Sequence, residues 1–336
     1  MTDLDTPPAI DTTPAARVPQ PDLSEPARPA HPAAPETAPQ TAPEAARRPA
    51  AAAMAPSPWR PVVTASALVA GGLAVWMILY AFVLSGFHER HEQVGRYASF
   101  REALAAQTAP LGGVITPGTP VALLSAPELG IRDQVVGEGT TSGDLMSGPG
   151  HRRDTPLPGQ VGISVVYGRS TLFGAPFADI AGARVGQTIR VTTGQGTFTF
   201  TVRGVRHVGD RFPPPLAATD GGLTLVTSEG ASAGNLWQPQ RPVYVDTVLT
   251  GKTKAQPALV GRPAAVPASE QALARDTSDV YVLVLLLALV IGAVSLVTWG
   301  LARWGRWQVW LVGAPIVAAT LWAASQSAAH LLPNLM

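Results

Sequence analysis

Three long apolar runs constrain this chain more than any other feature, because each is long enough to cross a bilayer. They fall at about 62–87, 279–302 and 307–332. As helices, about 20 apolar residues cover the roughly 30 Å of bilayer hydrocarbon, so three transmembrane helices are expected. The alternative is a hairpin buried inside a soluble protein. Hydrophobic residues make up 46% of the chain and charged residues 14%, and the concentration of the former into these runs favours the membrane. The last two runs are joined only by residues 303–306, which predicts a tight helical hairpin. Roughly 60 residues precede the first run, far more than the charged leader of a cleavable signal, and no small-x-small cleavage site follows it. It reads as a retained anchor.

The flanking charges give an orientation, since cytoplasmic loops carry the Lys/Arg excess. Arg47, Arg48 and Arg60 precede the first run, and Arg303 and Arg306 sit in the hairpin turn. Both places are expected in the cytoplasm, with the intervening domain and the C-terminus outside, which makes a multi-pass cell-membrane protein. Trp59 near one boundary, and Trp299, Trp304, Trp307 and Trp310 around the other, fit an aromatic belt at the cytoplasmic interface. Residues 1–58 are dominated by Pro and Ala without helical or strand periodicity, and are expected to be a disordered cytoplasmic tail. Residues 251–278 are again Pro/Ala-rich and read as a linker with enough reach to let the outer domain move.

Between these segments, 88–110 is polar and helix-friendly and reads as a stalk continuing the first membrane helix. The pattern then changes to short β-type runs between Gly and Pro, at 121–124, 134–136, 162–166, 188–192, 197–205, 223–226 and 243–249. Only 142–146 and 175–180 suggest short helices. Many short strands at this spacing predict a closed barrel over about 111–250 rather than a parallel sheet, giving a mainly β outer domain beside the three helices.

One of these strands, Leu223-Thr224-Leu225-Val226-Thr227-Ser228-Glu229, delivers a hydroxyl to its end. Around it stand Gly148-Pro149-Gly150-His151, Leu157-Pro158-Gly159-Gln160, Gly168-Arg169, Gly174-Ala175-Pro176-Phe177-Ala178-Asp179 and Arg241. Together they resemble the actinobacterial class E sortases, membrane-anchored cysteine transpeptidases, over somewhat more than a third of the chain. The resemblance implies an eight-stranded β-barrel. It also implies a site in which a cysteine attacks a sorting-signal peptide, a histidine protonates the departing amine and an arginine steadies the oxyanion. On the family's motifs the nucleophile falls on Ser228, the histidine on Arg169 and the arginine on Arg241. Only the arginine is retained.

The chain has no cysteine, which excludes disulfides, thiolate metal sites and thiol catalysis. A serine hydroxyl becomes a nucleophile only when a positioned base takes its proton, and a guanidinium is no base at physiological pH. His151 lies in a motif shared with family members that keep their catalytic histidine elsewhere and reads as structural, and His207 reads as a surface or satisfied histidine. The leading expectation is a sortase-like pseudoenzyme whose barrel binds a peptide or an exported cell-surface protein, with Arg169 and Arg241 as two cations beside Ser228 suited to a carboxylate. One alternative is an active serine-dependent transpeptidase or peptidase acting on exported proteins; another is a structural adaptor of a membrane assembly. Arg169 pointing to solvent, or paired with Asp179 or Glu229, is the plainer reading of that residue. A formal charge of +1 gives no basis for a nucleic-acid partner, and no cofactor or metal is expected. The last residues, Leu332-Pro333-Asn334-Leu335-Met336, do not resemble a sorting signal.

Overall fold

The computed structural model describes residues 60–230, 240–256 and 262–336; the expected tail at 1–58, with Arg47 and Arg48, lies outside them, as does Trp59. Helix α1 (Arg60–Leu79) passes through a π-helical turn at Tyr80–Leu84 into α2 (Ser85–Ala105), so the helical segment is continuous. Helices α3 (Val280–Arg303) and α4 (Arg306–His330) form the hairpin. Among the described residues three helices are long and apolar enough to cross a membrane, Gly71–Ala105, Val280–Arg303 and Arg306–His330. The hairpin closes tightly because Gly313 lets the Val297 side chain come in: a Cβ there would lie 2.5 Å from Val297 Cγ2. Helix α1 is fastened to α4 by Trp76, whose indole N–H donates to Ser325 Oγ at 2.9 Å, and by Tyr80 packed edge-on against Trp322.

The β domain is a closed barrel of eight strands in the order β1-β2-β3-β4-β7-β8-β6-β5. The strands are β1 (Pro120–Ala126), β2 (Ile131–Glu138), β3 (Gly150–His151), β4 (Gly162–Tyr167), β5 (Thr188–Thr193), β6 (Gly196–His207), β7 (Gly221–Glu229) and β8 (Arg241–Thr250). All the runs that alternation marked are strands. The eighth, β3, is a two-residue piece between β2 and β4 that carries no alternation to read. The expected short helices reduce to 3-10 turns at Asp144–Ser147 and Ile180–Gly182.

Period-2 alternation sorts β4 and β7 into two faces. Val166, Leu223 and Leu225 enter the barrel core with Val121, Phe177, Ile189 and Phe200. Thr224, Val226 and Ser228, and on β4 Val165 and Tyr167, look outward. Because β4 and β7 are parallel with Tyr167 opposite Val226, two residues further along each strand direction stand Arg169 and Ser228. The pairing continues through Gly168 N–H to Val226 O at 3.0 Å, which carries the chain after β4 alongside the end of β7.

Residues 262–279 differ from the linker that their composition predicts. They run along the barrel, with Glu270 buried and ion-paired to Arg153, and the Thr140 hydroxyl donating to Glu270 O at 2.7 Å. A carboxylate held this way anchors the segment, and Pro/Ala content alone gives no sign of it.

Candidate functional site

Ser228 sits near the end of β7 and is nearly buried, at 4% exposure. Its hydroxyl donates to the carbonyl of Leu335 at 2.8 Å and lies 2.9 Å from Ser170 Oγ. The Ser170 N–H also donates to the Leu335 carbonyl, at 3.0 Å, and Ser170 Oγ reaches it at 3.2 Å. One carbonyl oxygen therefore receives a backbone N–H and stands within reach of two hydroxyls. The outer-face groove at Ser228 is filled by the chain's own residues 331–336, which emerge from α4.

That segment is held at Leu332, Asn334, Leu335 and Met336. The Asn334 side-chain amide donates to Thr140 O and to Gln271 O, each at 2.8 Å, and its backbone N–H to Ala274 O at 3.0 Å. Leu335 is fully buried against Leu145, Tyr167 and Val226. Met336 packs with Tyr80, Phe173 and Leu172. The Ser142 hydroxyl holds the start of the segment through Leu332 O, at 3.0 Å.

Arg169 is 0% exposed. Its guanidinium donates to Ser142 O at 2.8 Å, Ser142 Oγ at 3.0 Å, Leu145 O at 3.2 Å and Met336 O at 3.2 Å. It also lies over the Phe173 ring, 4.8 Å from the centroid. Burial lowers its pKa to about 9, so it is still a cation at neutral pH. Neither Asp179 nor Glu229 pairs with it; among the described residues no Asp or Glu side chain forms an ion pair with Arg169. The expectation of an arginine in solvent is corrected here: the guanidinium is covered, and one of its acceptors is Met336 O. The turn at 142–147 and residues 335–336 fold over the guanidinium and supply the oxygens it needs.

Arg241 opens β8 opposite Glu229, one step beyond the Ser228–Pro242 pair, and is exposed. Among the described residues no hydrogen bond or ion pair links it to Ser228 or Arg169. Ser228 and Arg169 meet through adjacent residues of one segment, Leu335 and Met336, which Arg241 is not seen to join.

The described histidines are engaged elsewhere or stand on the stalk. His151 is buried, with Nδ1 2.8 Å from Glu138 Oε2 and Nε2 3.0 Å from Pro156 O, a structural clasp between β2 and β3. His207 is half-exposed between Asp210 and Glu229, and His330 pairs with Asp279 at 3.0 Å. No described base lies within hydrogen-bond reach of the Ser228 hydroxyl. Sequence reading missed Ser170, Ser142, Thr140 and Asn334; their types are common in turns, and only the fold sets them around one groove.

Beyond Leu335 the groove continues as an open cleft of about 360 Å³ whose lining includes Tyr167, Val226, Tyr244, Arg206, Phe212 and Asp246. Arg206 is ion-paired to Asp246 at 2.9 Å and stacked between Phe212 and Tyr244, so its charge is already satisfied.

Residues 124–243 match a family model described as Sortase domain, and the match stops short of the helices on either side. No curated protein matches the chain. Among solved structures, a sortase D5 transpeptidase of Clostridium perfringens is 21% identical with a TM-score of 0.39, covering 48% of this chain and 99% of that one. Sortase E from Streptomyces avermitilis is 26% identical with a TM-score of 0.34, covering 41% and 91%. A sortase from Actinomyces oris is 23% identical with a TM-score of 0.35, covering 47% and 96%. The residues that match the Sortase domain model fall within the closed eight-stranded barrel, on a chain with three candidate membrane helices.

Proposed function

We propose that this chain is a non-catalytic, sortase-like membrane protein of the class E kind, whose barrel stands outside the membrane and binds a peptide or protein partner. The observation that carries the proposal is the company of Ser228: its hydroxyl meets a second hydroxyl, Ser170, and a backbone carbonyl, Leu335. Neither is a base that would take its proton, and the residue in the histidine's place is a guanidinium that stays charged. Loss of general acid–base help alone costs about 10²–10⁴-fold in rate. The outward orientation of the barrel rests on Arg303 and Arg306 at the α3–α4 turn, which the positive-inside tendency keeps in the cytoplasm.

One observation favours the rival reading of a serine-dependent transpeptidase. The Ser170 N–H and the two hydroxyls converge on a carbonyl oxygen, as donors do where a developing oxyanion is stabilised. The two readings separate when the full chain in detergent is given a Leu-Pro-x-Thr-Gly peptide and an amine acceptor, with intact-mass detection. No acyl adduct and no transfer product above the protein-free control are expected. An acyl group mapped to Ser228 would sink the non-catalytic reading.

A further inference from the structure

Residues 331–336 make more than packing contacts, since three consecutive residues are each read by a different device. Asn334 is read through its side-chain amide by two backbone carbonyls, Thr140 O and Gln271 O. Leu335 is read twice, by an apolar pocket and by the Ser170/Ser228 cradle on its carbonyl. Met336 is read through its backbone oxygen by Arg169 and through its side chain by Tyr80 and Phe173. Main-chain oxygens held by fixed donors, with side chains in separate pockets, give a bound peptide affinity through the first and specificity through the second.

We infer that residues 331–336 are a ligand held in cis, and that the groove, closed until that segment withdraws, is a receptor for peptides that take up the Pro-Asn-Leu-Met turn, in which Met336 N–H donates to Pro333 O at 3.2 Å. The inference rests on the reading of the barrel as a peptide-binding domain. Two further observations support a displaceable occupant. Asn334 Oδ1 is buried without a hydrogen-bond partner among the described residues, so withdrawing the segment breaks no bond at that acceptor. The groove also runs past Leu335 into the open cleft at Tyr244 and Phe212, so the segment fills one end of a longer channel. Tethering explains why a displaceable occupant still wins: a short link gives it an effective concentration of about millimolar.

The test uses the full chain in detergent micelles and a fluorescein-labelled Leu-Leu-Pro-Asn-Leu-Met peptide, followed by anisotropy. Wild type is expected to bind weakly. Leu335→Asp places a charge in the apolar pocket and should raise the apparent affinity by about tenfold or more, since the tethered competitor is removed. Asn334→Ala, the milder change, should raise it less, and each variant's thermal unfolding establishes that it is folded. Equal binding by wild type and folded variants, or no binding by any folded variant, overturns the inference. Adding a Leu-Pro-x-Thr-Gly peptide and an amine to the same samples separates the two claims. Product from Leu335→Asp alone would leave the cis ligand standing and remove the non-catalytic reading. Absent binding together with absent product would do the reverse.

Discussion

Arg169→Ala is expected to destabilise the full chain by more than about 3 kcal/mol, because three backbone oxygens and one hydroxyl lose their donor and each unsatisfied buried group costs about 1–3 kcal/mol. Those groups are Ser142 O, Leu145 O, Met336 O and Ser142 Oγ, and the Phe173 ring loses the cation above it. Against a net stability of about 5–15 kcal/mol such a loss is large. Arg169→Lys should recover only part of it, since an ammonium offers three donors from a point while the four acceptors match a planar fork. Thermal unfolding in detergent reads the effect. An Arg169→Ala protein that melts with wild type would mean that the guanidinium is not a structural tie, and would return it to the pool of free ligand-binding cations.

A second large loss is expected from Gly150→Ala, where a single methyl has nowhere to go. Its Cβ would collide with the carbonyl oxygen of Gly139 and lie 2.7 Å from Leu145 Cδ2. A side chain can rotate away, but Gly139 O is backbone in the strip that pairs with β3. Moving it strains Gly137 N–H to Pro149 O and Gly139 N–H to His151 O, both 2.9 Å, along with the Glu138–His151 pair. Overpacking of this kind costs about 1–3 kcal/mol and each lost hydrogen bond about 1 more, so a loss of about 3–5 kcal/mol is expected. The same shift displaces Leu145, whose carbonyl accepts from Arg169, and so carries the damage from the barrel into the site. An unchanged unfolding midpoint in denaturant would contradict this.

Much of the architecture was legible because its signals are local. Run length alone marked the three helices, and alternation marked seven strands, including the one that ends in Ser228. β3 was illegible for the opposite reason: Gly150 and His151 are too few to alternate, and they pair only because β2 and β4 already stand on either side. Arg169 shows the limit more sharply. A charged side chain in a loop is ordinarily exposed, and what buries this one is a turn at 142–147 and Met336, 167 residues away. Nothing near Arg169 in sequence announces either. The segment 262–279 shows the same limit, since its composition describes a flexible tether while its ion pair to Arg153 and its bonds to Thr140 and Asn334 make it one wall of the groove. Ser228 was placed correctly on its strand, yet its partners Ser170 and Leu335 come from two other parts of the chain. A motif locates a nucleophile's position, whereas the groups that would activate it are assembled only by the fold.

Ser228 lies beneath residues 331–336, and no described base stands within hydrogen-bond reach of its hydroxyl. The absence of cysteine from the chain makes a direct measurement simple, because Ser228→Cys introduces a unique thiol. Thiol reactivity follows exposure and ionisation, so its maleimide labelling in the folded full chain can be set against Val208→Cys, at a position 66% exposed. Labelling of the residue-228 thiol is expected to be far slower than that of the residue-208 thiol, and to accelerate when Leu335→Asp is added. Labelling of Ser228→Cys at the rate of Val208→Cys, unaffected by Leu335→Asp, would contradict this covering of Ser228.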